Sequence, residues 1–113
     1  MRLRNAVIAS ASALLLALTL SNPAQAATGD FDYTYIGTGG ISVNGSLADP
    51  NSGECINIPE TVGNNFPALA PRNFTNATAT VFLEADCDGD TYHVMTPGRI
   101  LGGGIRLRSV IFS

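Results

Sequence analysis

Residues 78–112, TATVFLEADCDGDTYHVMTPGRILGGGIRLRSVIF, are the stretch from which the rest of the chain is read. From Thr78 to Glu84 apolar and polar side chains alternate, with Ala79, Val81 and Leu83 on one face and Thr78, Thr80, Phe82 and Glu84 on the other. That period of two belongs to a half-buried strand. An acidic turn over 85–90 follows, then a strand over 91–95, a Pro- and Gly-rich loop over 97–104, and a last strand over 105–112. No helical period interrupts the series, so the fold expected is all-β.

Ahead of this lies a segment that fold reasoning must set aside. Arg2 and Arg4 form a positive end, residues 6–20 an apolar run, and residues 21–26 a polar region in which Ala24 and Ala26 flank Gln25. This is the order of a secretory signal cut before Ala27. An apolar run of about 15 residues is short of the roughly 20 a bilayer span needs, so no membrane span is expected once the signal is gone. The chain of 113 residues less 26 leaves a single domain over 27–113, 87 residues long.

That domain carries four Arg and no Lys against nine Asp and Glu, so 4 − 9 = −5. A chain of this sign lacks the basic patch that a phosphate backbone requires, which excludes nucleic acid as a partner. Arg106 and Arg108, two apart on a strand, read as a solvated face. The Ala-rich, Lys-free composition points to a bacterial source, in which the three Asn-x-Ser/Thr sequons at Asn44, Asn73 and Asn76 carry no sugar.

So small a domain buries a limited core, and exported domains of this size often carry a cross-link. Cys55 and Cys87 are the two cysteines, and an oxidising compartment makes one structural bridge between them the expected state. Closing a loop of about 33 residues restricts the unfolded chain by roughly 3–4 kcal/mol in the entropic account.

Upstream, Phe31, Tyr33 and Tyr35 alternate with Asp32 and Thr34, and Ile41, Val43 and Leu47 continue after a turn at 37–40. The two runs make a hairpin. Asn44-Gly45 is itself a tight-turn signal, which leaves the register of the second run open, and a bulge there fits equally. Cys55 to Ile58 is a short strand closed by Pro59. Residues 60–71 read as one long irregular loop, tucked onto the core by Phe66, Leu69 and Val62, and 72–75 as a short strand. The total is six or seven short antiparallel strands in a small sandwich or barrel.

Phe82, Cys87 and Gly89 stand at places one, six and eight of an aromatic-x4-Cys-x-Gly run, and Ser109-Val110 with Phe112 closes the chain. This resembles the Greek-key signature of the βγ-crystallins, in the variant found in small secreted actinomycete proteins related to killer toxins and metalloproteinase inhibitors. The resemblance covers about 35 residues well and 55–76 loosely. It implies a small Greek-key β-sandwich in which Phe82 covers a folded turn, Gly89 supplies a backbone angle closed to other residues, and Ser109 belongs to the motif's last strand. The family's calcium ligands would fall at Gly104 and Ile105, with Arg108 where Ser or Thr is usual, so that ion site is not expected.

The remaining chemistry is sparse. Asp86, Asp88 and Asp90 imitate the opening of an EF-hand, but the sixth place holds Thr91 instead of Gly and the twelfth Pro97 instead of Glu, which leaves them only weak metal candidates. His93 is the sole histidine, and no Ser-bearing turn accompanies it as a nucleophile elbow. The triple glycine at 102–104 lacks the Lys and the following helix of a phosphate cradle. No catalytic residue, metal or cofactor is expected. Two functions fit such a chain: a secreted, monomeric interaction module, inhibitor or toxin-like, contacting an extracellular protein through its 59–71 and 97–104 loops, or a structural protein of the cell envelope without a specific ligand.

Overall fold

The computed structural model describes residues 25–113. The predicted signal lies outside the described residues except for its last two, Gln25 and Ala26. These two lie against the domain: the Ser52 N–H bonds the Gln25 carbonyl at 2.9 Å, and Ala26 forms an isolated antiparallel bridge with Asn51. No helix among the described residues is long and apolar enough to cross a membrane.

Eight strands form two four-stranded sheets, all paired antiparallel: β1 (Gly29–Ile36), β2 (Ser42–Ala48), β3 (Cys55–Asn57), β4 (Ala68–Thr75), β5 (Ala79–Phe82), β6 (Tyr92–Met95), β7 (Arg106–Leu107) and β8 (Ser109–Phe112). The first sheet has the order β2-β1-β4-β7 and the second β3-β8-β5-β6. Each half of the chain therefore makes a hairpin, sends its third strand to the opposite sheet, and returns its fourth beside its first, the return of a Greek key. β3 and β7 are the exchanged strands.

The inward faces follow the period of two. Phe31 and Tyr33 from β1, Ala68 from β4 and Leu107 from β7 meet Ala79, Val81, Met95, Val110 and Phe112 from the second sheet, with Ile58 between, all buried. Phe31 and Phe112 meet edge to face across the sheets at 5.4 Å and 83°. Such contacts in a close-packed interior make truncation of either ring to alanine cost about 3–5 kcal/mol.

The last apolar run, expected as one strand, is two. It breaks at Arg108: Leu107 faces inward from the first sheet, while Val110 and Phe112 face inward from the second. The inward parity thus changes from odd to even positions, as a strand switching sheets requires. This break is why the count is eight.

Asn44-Gly45 is not a turn. Gly45 lies within β2 opposite Tyr33, and a Cβ there would strike the Tyr33 ring, 2.8 Å from Cζ. The glycine lets the ring lie against the neighbouring strand, a close approach that outweighs its turn preference. β4 also starts earlier than expected, at Ala68, and runs through Pro71. The proline is tolerated because pairing with β1 skips between Asp32 and Thr34, where Ala70 takes φ 54°, and a bulge needs no ladder N–H.

Candidate functional site

Two non-strand segments differ in how they are held. The first is the acidic turn after β5. A 3-10 turn over Ala85–Cys87 places Asp86 and Cys87 at φ 63° and 53°, a left-handed region that side chains rarely adopt. Three ties hold this geometry. The Asn57 side-chain amide donates to Asp86 Oδ1 at 3.0 Å, and Asn57 Oδ1 accepts the Asp86 N–H at 2.7 Å. Ser109 Oγ, buried, accepts the Cys87 N–H at 2.8 Å and donates to the Glu84 carbonyl at 2.6 Å. Cys87 is joined to Cys55 of β3, their Cα atoms 5.9 Å apart.

Gly89 follows at φ 86°, where a Cβ would lie 3.1 Å from Glu84 Cγ. Phe82 faces Tyr92 across the hairpin, the ring centres 5.8 Å apart. The structure thus gathers Cys55, Phe82, Cys87, Gly89 and Ser109 around one turn. Asp88 and Asp90 are exposed beyond it, and the Asp86 carboxylate is engaged by Asn57. Among the described residues no three His, Cys, Asp or Glu side chains converge as metal ligands would.

The second segment is the 58–67 loop, which starts with a 3-10 turn over Pro59–Thr61. Phe66 and Val62, expected to tuck onto the core, are 55% and 68% exposed. Other groups anchor the loop. Arg108 Nη1 donates to the Thr61 and Asn64 carbonyls at 3.2 and 3.0 Å, and Nη2 to the Asn65 carbonyl at 2.8 Å. Arg108 is therefore no solvated partner of Arg106; it ends the carbonyls of a loop more than forty residues away. The buried Tyr33 hydroxyl donates to Glu60 Oε1 at 2.7 Å. Burial first, then the Glu60 bond and charge, raise the Tyr33 pKa far above its ordinary value, so the phenol stays neutral.

Held in this way, Phe66 is the wall between two clefts. One, about 490 Å³, lies toward Tyr35, the 37–40 turn, Glu60 and Asn64. The other, about 480 Å³, is lined by Ile36, Gly40, Phe66, Pro67, Leu69 and Arg106. The 97–104 loop is less free than expected. Its first part runs along β4, with the Gly98 N–H on the Asn73 carbonyl, the Asn73 N–H on the Arg99 carbonyl and the Leu101 N–H on the Pro71 carbonyl. These bonds order 97–101 although most of it stays exposed, and 102–104 are exposed too.

His93 is exposed on the edge strand β6 and borders a cleft of about 300 Å³ with Leu83, Thr91 and Arg106. Asn73, one of the sequon asparagines, is buried: its amide donates to the Ala77 and Met95 carbonyls and its Oδ1 accepts from the Thr75 N–H and hydroxyl. A sugar there would be incompatible with the fold. The anchoring roles of Arg108 and Glu60 carry no local sequence signal, since each rests on distant partners, whereas Asn73 bonds mainly within 73–77 and has Met95 as its distant partner.

No family model, no curated protein and no solved structure matches the chain.

Proposed function

We propose that the chain is a secreted, non-catalytic interaction module of crystallin-like Greek-key type that binds an extracellular protein, as an enzyme inhibitor or a toxin-like binder. The observation that carries this reading is the 58–67 loop, which presents Phe66 and Val62 to solvent from a backbone anchored by Arg108. Exposed apolar side chains on a pre-ordered loop lose little conformational freedom on docking, which is how small scaffolds bind firmly. The disulfide is compatible with an oxidising, extracellular setting. The crystallin-like assignment is supported by the exchange of β3 and β7 and by the Ser109 clamp on the turn.

The test is to titrate the purified protein against a panel of secreted proteases and against competitor cells, with the variant Phe66→Ala alongside. Stoichiometric inhibition or killing that Phe66→Ala abolishes is expected. Absence of both effects across the panel, or full potency in Phe66→Ala, overturns the reading.

A further inference from the structure

We infer that the cleft beside Phe66 on the outer face of the first sheet receives the free C-terminus of a polypeptide that ends in a large apolar residue. This deepens the proposed binding function and rests on it. The floor is Ile36 of β1 and Leu69 of β4, the walls are Gly40 on one side and Phe66 with Pro67 on the other, and the rim is Arg106. A volume of about 480 Å³ suits one or two side chains of a ligand.

Arg106 gives the cleft its charge preference. Of the arginines, Arg108 is spent on loop carbonyls and Arg72 donates to the Ala70 carbonyl at 2.8 Å, while Arg106 is exposed and makes no side-chain hydrogen bond among the described residues. In a domain of net charge −5 it is a cation on an otherwise apolar cleft, and its forked guanidinium matches a carboxylate. The cleft asks for two groups side by side. Leu69 and Arg106 are direct cross-strand partners, so its apolar floor and its cation adjoin. A chain end carries an apolar side chain and a carboxylate on one Cα, so a single residue supplies both groups, whereas an extended internal segment must bring an acidic and an apolar side chain from positions two residues apart on the same face.

The test uses the whole secreted domain and fluorescent hexapeptides ending in Leu or Phe, as free acids and as amides, plus one with an internal Glu and an amidated end. Decanoate serves as a lipid-like competitor. The free acids are expected to bind about tenfold or more tighter than the amides. Arg106→Gln should bring the acids to the amide level while leaving the melting temperature unchanged, since Arg106 is exposed. Equal binding of acid and amide, equal binding of the internal Glu peptide, displacement by decanoate at lower concentration than by peptide, or no binding at all overturns the inference. If protease inhibition or cell killing persists undiminished in Arg106→Gln yet fails in Phe66→Ala, the cleft assignment falls while the binding function stands.

Discussion

The acidic turn at 85–90 and the 58–67 loop are both irregular and both exposed at their tips, yet they are held by opposite means. The turn is fixed by a covalent bond and by a buried hydroxyl aimed at its backbone. The loop is fixed by one half-exposed guanidinium and one phenol. A segment held covalently in strained angles resists local opening, whereas one held by a few charge-assisted bonds opens at lower cost. The turn therefore belongs to the scaffold, while the loop, though pre-ordered, owes its order to two side chains and can be loosened by changing either.

The largest way to break this contrast is to remove the bond. Cys55→Ser with Cys87→Ser is expected to lose roughly 3–4 kcal/mol, a fall in Tm on the order of 15 °C or more by thermal melting. A reductant-insensitive melt would show that the turn does not depend on it. Next, Ser109→Ala leaves the Cys87 N–H and the Glu84 carbonyl without their partner and is expected to cost about 1–3 kcal/mol in denaturant titration. Its effect on amide exchange should centre on the turn.

Arg108→Met is expected to cost less, about 1–2 kcal/mol, because the side chain is part-exposed. Amide exchange should rise across 58–67 and stay unchanged across 85–90; an equal rise in both would erase the distinction. pH probes the loop's second anchor. Tyr33 has a folded pKa raised above its unfolded value of about 10, so the stability it contributes is complete below pH 10 and is lost as pH rises beyond. Alkaline melts should show this decline, and Tyr33→Phe should flatten it. Smallest of all, melting with calcium and with chelator should give the same midpoint, since a site on the turn would raise it.

What the sequence disclosed follows the same division. The turn's residues Phe82, Cys87 and Gly89 lie within eight positions, so the turn itself was readable, but Ser109 was placed only in the last strand and its bonds to the turn's backbone, more than twenty residues away, were not. The bridge was readable from cysteine number and context. The loop was not, because Arg108 finds its carbonyls 43–47 residues away, and an arginine two places from another reads as a water-facing pair. Asn44-Gly45 misled because a local turn preference gave way to the bulk of the Tyr33 ring. The break at Arg108 did leave a trace, the change of inward parity between Leu107 and Val110, but with no Gly or Pro turn residue between 105 and 112 the run reads as one strand. The cleft is a product of β1, β4 and β7 meeting, and pairing of that kind is invisible to any local pattern.

The exchange of third strands also makes one short segment a keystone. β4 gains its neighbour β7, and β3 and β5 both pair with β8, through residues 106–112. Without that segment the first sheet would keep three strands and the second only the β5–β6 hairpin, with β3 left unpaired, so seven residues join both sheets into one closed core.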